Sequence, residues 1–295
     1  MIEPFTLPFM SRALAEMALL ALICGPVSVF VFARRLSFAS DALTHTVFPG
    51  VVIGFLAGGL EGVFTGALIA AVLTAAVLTV LTRGGRVSDD AATAVVLTAM
   101  FSAGVVLVSR RSSYTADLTS FLFGRLLTVT PRQIAETAVL AVVVLVALLI
   151  GARALLFRTF DPAGAAAAGF RIGGLDLWLN LIVALVVVAA VRAVGTILVV
   201  ALLIVPAAAA RMVTDRPAAM AVIGTVLIAG AGYGGLLVSW TASLDHGIAL
   251  TSASAVVLLL VVAYLLMIPA RLLRTGGRRG RSPVPGRNSG HELVG

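Results

Sequence analysis

Apolar runs of about 20 residues, separated by short polar segments, follow one another along nearly the whole chain. A helix of that length crosses about 30 Å of hydrocarbon. Nine spans are read, at 13–33, 41–59, 62–82, 90–109, 131–151, 175–191, 193–210, 217–240 and 246–268. The stretch 175–210 would be about 54 Å long as a single helix, far more than a bilayer needs. Arg192 and Gly195 near its middle fit a tight hairpin. Read as one crossing, it would lower the count to eight. The expected fold class is all-α, a polytopic membrane protein. Ala207 to Ala210, Gly224, Gly230, Gly232, Gly234 and Gly235 let helices approach closely in lipid.

Composition agrees and narrows the class. Of 295 residues, 60% are hydrophobic and 12% charged, against about 25% charged in a soluble domain. A soluble enzyme, a disordered protein and a small disulfide scaffold are excluded. Cys24 is the single cysteine, which leaves no intramolecular disulfide and no cysteine-based zinc site. All 21 basic residues are Arg. The formal charge of +8 would suggest nucleic acid in a soluble chain; here it reads as Arg-rich cytoplasmic loops, with membrane lipid and not nucleic acid as neighbour. With nine spans and the C-terminus inside, 15 Arg fall on the inner side and 6 on the outer, so the N-terminus is expected outside. No basic n-region or small-residue cleavage site precedes the first span, so no cleaved signal peptide is read. Residues 1–268 form the expected transmembrane domain. The segment 269–295, rich in Arg, Gly, Ser and Pro, is expected to be a disordered cytoplasmic tail. A G-x-x-x-x-G-K-[ST] loop is impossible without Lys, and no G-x-S-x-G or H-E-x-x-H occurs. The chain reads as a passage or a scaffold, not an enzyme, with no cofactor of its own.

Three segments carry more. The first is Ser40-Asp41-Ala42-Leu43-Thr44-His45-Thr46-Val47-Phe48-Pro49-Gly50. Asp41 and His45 are four residues apart and share a helix face, so a carboxylate and an imidazole can bind one divalent cation. Pro49 cannot donate to the His45 carbonyl, so a bend is expected, leaving an oxygen free beside the imidazole. The plainer alternative makes Asp41 a helix N-cap and His45 an interfacial residue. The second segment is the loop 157–172. Asp161 suits an N-cap, Pro162 a first helical residue and Gly169 a C-terminal stop. A two-turn helix is predicted there, shaped to dock into a cleft of a soluble partner. The third is Gly195 to Arg211, an apolar helix kinked at Pro206.

With these three segments, and with Phe121-Leu122-Phe123-Gly124, the chain resembles the ABC-3 group, the membrane permeases of ABC importers for zinc, manganese and iron ions. The resemblance covers roughly residues 10–268 and is most specific at Asp41–Gly50. One departure is Ser40, where the group usually has Gly. The resemblance implies a type II importer permease in the cytoplasmic membrane of a bacterium, with two copies forming one path. Asp41 and His45 of each copy would bind the ion. The helix containing Asp161, Pro162, Ala163, Gly164, Ala166 and Gly169 would couple to a separate ABC ATPase. An extracytoplasmic metal-binding protein would deliver the ion. Alternatives are a permease for a metal chelate (a siderophore, haem or cobalamin) and an ion-coupled secondary transporter, which would want inverted repeats and broken helices.

Other polar residues receive plain readings. Glu16 is expected at the interface, Glu61 and Asp245-His246 in solvated outer loops, and Asp89 and Asp90 as helix caps.

Overall fold

The computed structural model describes residues 3–83, 87–109, 124, 126–245 and 250–279. These residues are helical, with no strand among them. The α-helices are α1 Pro8–Ala33, α2 Ser37–Thr46, α3 Phe48–Thr82, α4 Asp89–Ser109, α5 Pro131–Phe160, α6 Pro162–Ala167, α7 Ile172–Val213, α8 Pro217–Asp245 and α9 Ser252–Arg279. Eight helical stretches are long and apolar enough to cross a membrane, counting Ser37–Gly59 and Glu61–Thr82 separately and Ile172–Val213 once.

Two of these helices are hairpins. In α3 the reversal falls at Gly58 and Gly59, the latter at φ 61°. Its limbs pack backbone to backbone: a Cβ on Gly54 would overlap the carbonyl oxygen of Gly62, and one on Gly50 that of Gly66. Only glycine permits that approach. In α7 helical geometry fails at Gly195 alone, at φ 77° and ψ 167°. A straight helix would put Asp176 and Ala210 about 51 Å apart. Yet Asp176 pairs with Arg34 just past the end of α1, while Ala207 and Ala210 cluster with Val29, near that same end. The chain therefore folds back at Gly195. Gly124, itself at φ 69°, packs so closely on Val194 and Gly195 that a Cβ there would overlap the Val194 carbonyl carbon. Dividing α7 at this turn brings the candidate crossings among the described residues to nine.

The first limb of α7 is the axis of the fold. Leu179, Ile182, Val183, Ala184, Val186, Val187 and Val188 point in successive directions and are all buried, as befits a helix that is apolar all round. Helices α1, α3, α5 and α9 pack against α7. Without a hydrophobic drive between helices in lipid, close packing holds them together. The start of α4 is capped by Ser88, whose Oγ accepts the Ala91 N–H at 3.3 Å; Asp89 and Asp90 occupy its first turn and are not the cap. Helix α9 continues past the expected limit at 268, as far as Arg279.

Candidate functional site

Helix α2 is a ten-residue segment whose Ser40, Ala42, Leu43, Thr44 and Thr46 are buried against the bundle. Asp41 and His45 face the other way, and their side chains keep 42% and 28% of their exposure. Asp41 lies in mid-helix. The N-cap position is Leu36, which makes no side-chain cap bond, so the alternative reading of Asp41 as a cap does not hold. His45 Nε2 stands 3.9 Å from Asp41 Oδ1, too far for a hydrogen bond. Two ligands of one ion, each bound at about 2.0–2.2 Å, sit roughly 3–3.5 Å apart. A small side-chain rotation brings the pair to that spacing. The imidazole is held by an edge-on contact with Phe101 of α4, centroids 5.8 Å apart, and Phe48 packs on the Phe101 ring at 5.9 Å.

Pro49 takes the second position of α3, and the helix breaks one residue before Phe48, at Val47. The expectation of a free His45 carbonyl is not met, because the Val47 N–H turns back and donates to it. Among the described residues no three His, Cys, Asp or Glu side chains gather to hold a metal. Among the described residues, Asp41 and His45 are the pair of ligands gathered on α2. Pro206 lies inside the second limb of α7, buried and packed on Gly224 of α8.

Helix α6 stands at the Arg34 end of the bundle. Asp161 caps it, accepting the Gly164 N–H at 2.8 Å, and Pro162 opens it. Phe170 N–H donates to the Ala165 carbonyl at 3.1 Å, and Gly169 at φ 85° closes the turn. Ala165 alone is buried; Pro162, Ala163, Ala166 and Ala167 are exposed. A Cβ on Gly164 would overlap the Asp161 carboxylate. Gly164 is therefore required by the cap itself, and Ala166 is the free-standing position. The rings of Phe157 and Phe170 meet edge-on beneath the helix, centroids 6.1 Å apart. At the base of the loop Asp176 takes Arg34 on one oxygen and Arg158, at 3.2 Å, on the other.

The opposite end holds a network that the sequence did not reveal. Glu16 is not interfacial but fully buried in α1. Its Oε1 accepts the Thr137 hydroxyl at 2.8 Å, and its Oε2 has no protein partner. Beside it Arg192, at the tip of α7, pairs with Glu136 at 2.6 Å and lies over the Phe64 ring. Arg132 joins Glu136 to Glu61. The one local signal was the Arg132–Glu136 spacing of a helical turn. Thr137→Val should destabilise the protein by about 1–3 kcal/mol, since it strips a buried carboxylate of its donor. Thr137→Ser should restore the loss, as read from thermal unfolding in detergent. Phe121-Leu122-Phe123 and His246 lie outside the described residues.

Residues 6–269 match the model of the ABC 3 transport family. The manganese transport system membrane protein MntC of Halalkalibacterium halodurans is 36% identical over 208 residues, 70% of each chain. The chelated iron transport system membrane protein YfeD of Yersinia pestis is 31% identical over 81% of this chain and 79% of that protein. Among solved structures, PsaBC from Streptococcus pneumoniae in complex with Fab superposes with a TM-score of 0.80 at 27% identity. The match covers 94% of this chain and all of that one.

Proposed function

The chain belongs to the ABC 3 transport family, and on that premise we propose that it is the membrane subunit of an ATP-driven importer of a divalent first-row metal ion. The observation that carries this is the half-open Asp41–His45 pair on an otherwise buried helix. A carboxylate and an imidazole suit manganese and iron, the metals in the names of the relatives, and suit zinc as well. A chelate would need a wide passage and would have no use for bare ligands. The ion is the cargo. Two ligands are too few to replace a hydration shell, whereas two copies meeting at α2 supply two carboxylates and two imidazoles, so the path lies between copies.

ATP is hydrolysed on a separate subunit that docks at α6, whose exposed small residues suit a cleft. An extracytoplasmic protein hands over the ion at the Glu136 end. That end faces outward, because the Arg-rich α6 end belongs in the cytoplasm by the distribution of Arg. The reading is tested by manganese and iron accumulation in cells that produce the permease with its ATPase and binding protein. Uptake should cease on ATP depletion and continue after the proton gradient is dissipated. The opposite pattern would instead establish a secondary transporter.

A further inference from the structure

Resting on the reading of α6 as the coupling helix, we propose that Asp176 is the positioning residue through which α6 acts on α2. Its carboxylate joins three elements. Arg158 lies three residues before the Asp161 cap, on the chain entering α6, and Asp176 is on the second turn of the helix that leaves it. Their pairing closes the base of the loop, so that α6, the end of α5 and the start of α7 move as one piece. The other oxygen takes Arg34, the C-cap residue of α1, two residues before Leu36 at the head of α2. The three side chains keep only 13% (Arg34), 25% (Asp176) and 19% (Arg158) of their exposure. They are shielded from the screening that makes surface ion pairs weak.

The turn beyond Arg34 is built to transmit displacement. Arg34 N–H donates to Phe30 at 2.9 Å, Arg35 to Phe32 at 3.2 Å, Leu36 to Val31 at 2.9 Å and Ser40 to Leu36 at 2.8 Å. Arg35 is held at φ 57°, a left-handed conformation that a side chain adopts only where its surroundings impose it. A turn whose backbone is bonded at Arg34, Arg35, Leu36 and again at Ser40 carries the motion of Arg34 into α2. Asp41 is seven residues further along. The ion site and the ATPase contact, far apart in sequence, are thus linked through one carboxylate by way of Arg34 and Arg158. Small shifts of packed helices about such a contact are a known means of switching between states.

The test uses the full chain assembled with its ATPase and binding protein in vesicles, with manganese(II) as the probe. Arg34→Gln is the diagnostic variant, since it leaves the Arg158–Asp176 clasp in place. It should assemble normally and bind manganese as the wild type does. It should still hydrolyse ATP, yet consume at least tenfold more ATP per ion imported. Asp176→Asn should behave alike, Asp176→Glu should recover most of the coupling, and Arg34→Gln with Asp176→Asn together should be no worse than either alone. Wild-type ATP per ion in Arg34→Gln would overturn the proposal, as would loss of assembly in that variant, which would mark the contact as structural. A wild-type complex that imports none of manganese, iron and zinc would overturn the reading of function itself. The two failures are therefore distinct.

Discussion

Asp41→Asn and His45→Leu should each lower metal-ion uptake at least a hundredfold, while insertion, dimer formation and ATPase docking stay normal. Asn keeps the size of Asp and removes the charge that attracts a cation; Leu keeps apolar bulk against Phe101 and removes the ligand nitrogen. Neither side chain is needed to seat α2, because the residues that bury it are Ser40, Ala42, Leu43, Thr44 and Thr46. The expected loss exceeds the roughly 10–100-fold cost of disturbing a ligand's supporting partner, because here the ligand itself is gone. A carboxylate at this depth is tolerable when a cation offsets its charge. The double variant should be no worse than either single one, since both act on the same ion. Isotope uptake by well-inserted variants is the measurement. Wild-type uptake in either would leave His45 and Asp41 as residues of the interface only.

What the sequence revealed is local in origin. The α6 helix could be read because its cap, its first proline and its closing glycine lie within nine residues. The α7 hairpin could be read because a glycine and an arginine interrupt an apolar run too long for one crossing. Pro49 marked the break after α2, although the helix ends at Thr46 and the Val47 N–H takes up the carbonyl expected to be free. The rest depends on contacts across the chain. Glu16 meets Thr137 over 121 residues, and Arg34 meets Asp176 over 142. Periodicity gives no hint of such partners where helices are apolar on every side. A charged residue near a span end then looks the same whether it faces headgroups or a buried threonine. Glu16 and Asp176 therefore carry no local sign of their partners in the sequence.

The second large effect is expected at α6. Ala166→Trp should abolish ATP-driven uptake and lower the ATPase subunit's affinity for the permease at least tenfold, with manganese binding at Asp41 and His45 unchanged. Ala166 is exposed, and its neighbours on the same surface are the small Ala163 and Ala167, so a cleft that receives this helix has room for methyl groups and none for an indole. Its backbone position makes no special demand, whereas Gly164 is occupied by its own cap: a side chain there would displace the Asp161 carboxylate and unwind the helix. Gly164→Ala would therefore disrupt folding of the loop and docking together, and Ala166→Trp separates the two. Losing the cap alone costs about 0.5–2 kcal/mol, enough to unravel a six-residue helix, which is marginal by itself. Copurification of the ATPase with the permease reads docking, and metal-stimulated ATP hydrolysis reads coupling. Normal values of both in Ala166→Trp would show that the ATPase engages another part of this face, and would detach Asp176 from any role in transmitting its motion.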